Sequence, residues 1–98
     1  MYASLRWYNV QPWLVDEMIQ RVQDGFVPII SGAPGFIAYY VVNAGNAVVV
    51  TVSIFDDKAG SDRAQQMAAD WVARNLGTVI RGLPTITAGE VPVYKLRE

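Results

Sequence analysis

"GFIAYYVVNAGNAVVVTVSIF", residues 35–55, decides the fold. Two runs of β-branched and aromatic residues flank "NAGN", where Asn43 and Gly45 tolerate the positive φ of a tight turn, so the stretch reads as a β-hairpin. With the loop centred on Ala44 and Gly45, Val41 opposes Val48, Tyr39 opposes Val50 and Ile37 opposes Val52 on one face, which Ile54 extends. The other face then holds Phe36, Ala38, Tyr40, Thr51, Ser53 and Phe55, apolar but for its hydroxyls. A two-stranded ribbon in water normally wets one side. Here both sides need a cover.

The flanking sequence supplies one of them. "YASLRWYNV" (2–10) reads as a strand that must end by Pro12, and Pro12 suits the first turn of a helix. In "PWLVDEMIQRVQDG" the residues Val15, Met18, Ile19 and Val22 recur at i, i+3, i+4 and i+7, opposite Asp16, Glu17, Gln20, Arg21, Gln23 and Asp24. Gly25 is expected to stop this helix, and Pro28, Gly32, Pro34 and Gly35 in "FVPIISGAPGF" are turn chemistry. A second helix is predicted in "DDKAGSDRAQQMAADWVARNLG", capped by Ser61, with Asp62 near its positive end and Gly77 as its stop. Its buried stripe is Ala64, Met67, Ala68, Trp71, Val72 and Leu76. "TITAGEVPVYKL" reads as a last strand interrupted at Gly89 or Pro92, and that proline suits a sheet edge.

The order βαββαβ predicts one α+β domain over residues 1–98 of the ferredoxin-like kind, an antiparallel sheet with two helices on one face. Two helices cover only one side of the hairpin. A second copy packed sheet to sheet is expected to cover the other, making a homodimer in which Ile37, Tyr39, Val48, Val50, Val52 and Ile54 face the partner.

Composition agrees with that outlet. The 98 residues are 52% hydrophobic and 17% charged, more apolar surface than one small core absorbs. Eight Lys and Arg against nine Asp and Glu give a formal charge of -1 with no basic cluster, so neither nucleic acid nor a membrane surface is an expected partner. Cysteine and histidine are both absent, which removes disulfides, thiolate nucleophiles, the commonest metal and haem ligands and the commonest general base. With no dinucleotide-binding glycine fingerprint either, no haem, flavin or metal cofactor is expected. No run approaches signal-peptide or membrane-span length, and a cytoplasmic location is the default expectation.

Tyr8 ahead of Pro12, "GFVP" (25–28), "PGFIAYYV" (34–41), "VTVSIFDDKAGS" (50–61), "AADWVARNL" (68–76) and "AGEV" (88–91) together resemble the antibiotic biosynthesis monooxygenase-like family of dimeric α/β barrels. The resemblance spans almost the whole chain. It implies two protomers facing sheet to sheet, with a pocket in each between sheet and helices. Family members include cofactor-independent oxygenases of polycyclic aromatic substrates, haem-degrading enzymes and small proteins of no assigned activity. In the haem-degrading branch a pocket asparagine lies on the first strand, a tryptophan ends the third and a histidine sits on the second helix. Arg6 and Phe55 stand at the first two places, and the third has no counterpart, which speaks against haem ligation.

Arg6 is the sharpest candidate, alternating with Ser4 and Tyr8 on a strand expected to be central, where an unpaired guanidinium is costly. It is the candidate catalytic group, binding an anionic or carbonyl oxygen; the structural alternative is an ion pair with Glu90 or a helix carboxylate. Trp71 and Asn75, at i and i+4 on the second helix, could both look into a pocket. Tyr40 and Phe55, on the hydroxyl-bearing face with Thr51 and Ser53, could line a cavity for a flat aromatic molecule. Tyr8, Tyr40, Phe55, Trp71 and Asn75 are therefore the candidate substrate-binding set, with Tyr8, Tyr40 or water moving the proton. Ordinary packing accounts for the same aromatics. Asp56 and Asp57 point to capping rather than to a cation site. Two functions compete: a cofactor-independent monooxygenase acting on a small aromatic or apolar compound, and a non-catalytic dimeric structural or ligand-binding module. An open sheet-helix cavity reaching Arg6 favours the first, a filled core the second.

Overall fold

The computed structural model describes residues 1–98. Four strands, β1 (Tyr2–Asn9), β2 (Phe36–Gly45), β3 (Val48–Phe55) and β4 (Thr85–Glu90), form one sheet. Its order is β2-β3-β1-β4 and every pairing is antiparallel. The first helical arm comprises α1 (Val15–Arg21), a π turn (Val22–Phe26) and α2 (Val27–Ser31); the second is α3 (Lys58–Asn75). Both arms lie on one side of the sheet, giving the ferredoxin-like α+β fold. Between the layers Tyr8, Val49 and Phe55 from the strands meet Met18, Val22, Phe26 and Ile30 from the first arm and Ala64, Ala68 and Leu76 from α3 and its end. Phe55 is fully buried and stands edge-on to Phe36 with ring centroids 5.8 Å apart. Burial of a side chain of that size contributes about 2–3 kcal/mol.

The hairpin forms with a register other than the one read from sequence. Val41 pairs with Thr51, Tyr39 with Ser53 and Tyr40 with Val52. The tight turn lies at Asn46 and Ala47, whose φ values of 52° and 59° are those of a two-residue primed turn. That turn follows the right-handed strand twist, and it takes an alanine in the left-handed region to make it. Sliding β2 by an odd number of residues turns its side chains over. Tyr39, expected against the partner, faces the helices and touches Phe26 edge-on at 5.7 Å. Tyr40 and Ala38, expected beneath the helices, pair with Val52 and Ile54 on the open side. Val48, Val50, Val52 and Ile54 do occupy that open side. Ile37 is the extra residue of a bulge between Phe36 and Ala38.

Two local expectations are corrected with it, and a third resolves to one of its alternatives. Gly25 does not end the first helix: the chain stays helical to Ser31 through the π turn, and Pro28 falls in the first turn of α2, where no N–H is needed. The reason for a glycine is space, because a Cβ there would lie 3.0 Å from Trp71 Cζ2. Asp57, not Ser61, caps α3: its Oδ1 accepts from the Gly60 N–H at 2.8 Å, worth about 1 kcal/mol. Ser61 is buried within the first turn. Gly89 lies inside β4, an edge strand that ends before Pro92.

Candidate active site

β1 is a central strand, so residues of one parity along it are pressed under the helices. Ser4, Arg6 and Tyr8 are those residues, and Thr51 and Ser53 join them from β3. The buried polar side chains of the protein are Ser4, Arg6, Thr51, Ser53 and Ser61. All lie in the layer between sheet and helices. Arg6 is only 7% exposed. Its Nε donates to the Tyr8 hydroxyl at 2.6 Å and its Nη1 to Gln65 Oε1 on α3 at 2.8 Å.

The ion pair considered from sequence does not form. Glu90 pairs with Tyr2, four residues along β4 from Ile86, the neighbour of Arg6. The three salt bridges, Glu17 with Arg21, Lys58 with Asp62 and Lys95 with Glu98, are all on the surface. A guanidinium stays protonated and has five N–H donors. In this one two donors are engaged, both by neutral acceptors, and Nη2 has no partner within the chain.

Arg6 and Tyr8 line a cavity of about 20 Å³ together with Thr51, Ser53 and a wall of Met18, Phe26, Ile30, Tyr39 and Trp71. That is room for about one water molecule. Phe26 stacks obliquely on Trp71 with centroids 5.4 Å apart, so Trp71, Phe26 and Tyr39 make a continuous aromatic wall. Burial raises the Tyr8 phenol above its ordinary pKa, and the Arg6 charge and hydrogen bond offset part of that rise. Tyr39 is raised further, by burial first and the neighbouring Tyr8 second, against partial relief from Thr51 and Arg6. Both are neutral phenols near neutral pH. Because Tyr8 accepts from Arg6, its own O–H is free to donate to an occupant of the cavity.

Trp71 also lines a second space, an outer groove of about 490 Å³ bounded by Glu17, Gln20, Arg21, Asp24, Gly25 and Asn75. Trp71 is the residue common to groove and cavity. Arg21 Nη1 donates to the Asn75 carbonyl at 2.8 Å across that groove, tying α1 to the end of α3.

The structure brings Arg6, Tyr8 and Trp71 to the cavity and leaves the other sequence candidates out. Tyr40 is on the opposite side of the sheet, for the register reason given above, and Tyr39 takes the place read for it. Phe55 is under the helices but belongs to the solid core beside Phe36 and Gly60. Asn75 is exposed in the outer groove, its Nδ2 donating to the Trp71 carbonyl at 2.9 Å. Sequence reading missed Gln65. The signal was there: Ser61, Gln65, Ala68 and Val72 stand at i, i+4, i+7 and i+11, so the amide shares the stripe that meets the sheet.

No protein-family model matches the chain, and no curated protein does so significantly. Solved structures do match along its whole length. A protein of unknown function from Nitrosomonas europaea is similar at TM-score 0.83 and 20% identity, covering 99% of this chain and 94% of that one. A monooxygenase of Streptomyces coelicolor, crystallised with nanaomycin D, matches at 0.79 and 13%, covering 99% and 92%. A point mutant of MhuD, crystallised with two manganese protoporphyrin IX molecules per active site, matches at 0.79 and 13%, covering 99% and 100%. A porphyrin does not fit the site here: the cavity has room for about one water, its two phenols are held by Arg6 and by packing, and the chain has no histidine or cysteine. What these likenesses establish is architecture: the chain has the fold of the antibiotic biosynthesis monooxygenase-like proteins.

Proposed function

We propose that the protein is a cofactor-independent monooxygenase acting on a small aromatic compound in the cavity between sheet and helices. The observation that carries this is the buried, charge-uncompensated Arg6 beside the Tyr8 hydroxyl in an otherwise apolar enclosure. In such a reaction the substrate is its own reductant: a ring CH₂ and O₂ give C=O and water, and no electrons are needed from outside. Arg6 holds the oxygen on which negative charge develops as the C–H proton passes to a water molecule in the cavity, a fixed positive group in a low-dielectric site. Tyr8 donates to that same oxygen and Trp71 stacks on the ring. The binding of nanaomycin D by a monooxygenase of the same fold supports a small organic ligand.

The proposal includes a homodimer closed through the open side of the sheet, where Val48, Val50, Val52, Ile54, Tyr40 and Val42 form an apolar surface. The alternative, a dimeric binding module without chemistry, draws its support from the smallness of the cavity. An oxygen electrode with a panel of phenols and cyclic 1,3-diketones tests both. Oxygen uptake that is lost in Arg6→Met and Tyr8→Phe is the expected result. Binding without uptake favours the module, and absence of binding across the panel defeats the pocket itself.

A further inference from the structure

The charge around Arg6 does not balance. A guanidinium 7% exposed to solvent ordinarily faces a carboxylate, because an isolated buried charge is strongly disfavoured. Here the two groups that accept from it are a phenol and an amide. The other groups around the cavity are neutral as well: Tyr39, Thr51, Ser53 and a hydrocarbon and indole wall. Gln65 is placed where an acid would be expected. It grips Nη1 at 2.8 Å from α3, so it fixes the direction of the guanidinium, yet it leaves the charge intact.

We propose that the cavity is a receptor for an organic monoanion, a carboxylate or an acidic enol that arrives already ionised, and that Gln65 sets this specificity by orienting Arg6 without neutralising it. The inference rests on the pocket reading given under Proposed function and adds the charge of the ligand to it. The anion's oxygen meets Arg6 Nη2 and the free O–H of Tyr8, both charge-assisted or desolvated donors and therefore stronger than they would be in water. The apolar wall takes the rest of the molecule. A benzene ring needs more than the cavity offers, and Trp71 is the one residue that lines both that cavity and the outer groove.

Benzoate and its neutral isostere benzamide separate charge from shape. By calorimetric titration of the full chain, benzoate is expected to bind about tenfold or more tightly than benzamide, the difference that a charged against a neutral acceptor gives at one good donor pair. Gln65→Glu keeps size and hydrogen-bonding reach but supplies an internal carboxylate. It is expected to abolish the preference for benzoate while benzamide binding changes less than about threefold. Gln66→Glu adds the same charge one residue on, at an exposed position, and is expected to leave the preference as it was. Arg6→Met is expected to behave like Gln65→Glu; should it fail to fold, the glutamate variant still decides. Equal binding of benzoate and benzamide by the parent overturns the inference and leaves the pocket standing. A benzoate preference that persists in Gln65→Glu, or is lost equally in Gln66→Glu, overturns it too. Binding of neither compound overturns the inference together with the pocket.

Discussion

The covered face of the sheet holds polar side chains among its core residues, and the open face holds apolar ones. Under the helices stand Ser4, Arg6, Thr51 and Ser53, none more than 9% exposed. On the open side stand Leu5 and Trp7 of β1 with Val50, Val52 and Ile54 of β3. Stability alone would exchange the two sets, since burying a hydroxyl or a guanidinium costs free energy and an apolar surface in water earns none. The inversion separates two tasks. On the reading proposed above, the polar side chains inside serve a ligand in a dry environment and the apolar ones outside meet a second copy.

The largest expected effect is on the open face. Val50→Asp puts a carboxylate at the centre of the surface proposed to meet its partner, and is expected to raise the dimer dissociation constant by about two orders of magnitude or more. Circular dichroism should remain that of the folded chain, because Val50 is only half-buried in the protomer. Light scattering of parent and variant checks this. A parent already monomeric at micromolar concentration would break the outer half of the comparison.

The covered face should respond in the opposite sense. Ser4 Oγ is buried without a hydrogen-bond partner, so Ser4→Ala removes an unsatisfied hydroxyl and is expected to stabilise the fold by about 1 kcal/mol. For a chain this size that is a Tm rise of roughly 4–8 °C by calorimetry. A fall instead would mean that the hydroxyl is satisfied by an internal water, and that the inner face is better paired than the protein atoms alone show.

The smallest effect is one of pH. The folded-state pKa values of Tyr8 and Tyr39 lie above the ordinary 10.0, so the neutral phenols are favoured in the fold. The unfolded chain then releases protons that the folded one keeps, and stability should be full below about pH 10 and decline as pH rises above it. Tyr39→Phe is expected to flatten that decline. Tm measured at steps from pH 8 to about pH 11 reads it, and an unchanged slope in the variant would remove Tyr39 from the account.

Element order and layer arrangement were legible because they rest on long periodic signals: the 3.6-residue stripes of both arms and the β-branched runs of the hairpin. What was not legible depended on single residues. Asn46 and Ala47 form the turn with positive φ, a conformation that favours glycine and asparagine and so pointed to Gly45 instead. That one misplacement exchanged Tyr39 and Tyr40 between the faces, and with them a cavity residue and an interface residue. Arg6 could be singled out because strand alternation fixes its face whatever the loops do. Gln65 lay on the stripe of α3 that meets the sheet, but an amide on a helix is ordinarily a solvent-facing residue, and only the position of the guanidinium gives it a role.

The π turn in the first arm has a consequence for chain length. The buried residues along that arm, Met18, Val22, Phe26 and Ile30, recur every fourth position. An α-helix turns once in 3.6 residues, so each such step overshoots by about 40°, and three steps would carry Ile30 about 120° away from Met18. The wider turn at Val22–Phe26 winds more slowly and gives that drift back, so all four side chains stay against the sheet. It works as a phase corrector. Removing one residue between Val22 and Phe26 would space the four at i, i+4, i+7 and i+11, the stripe of an ordinary α-helix, so the arm should accept that deletion, whereas adding one would turn Phe26 and Ile30 away from the core together.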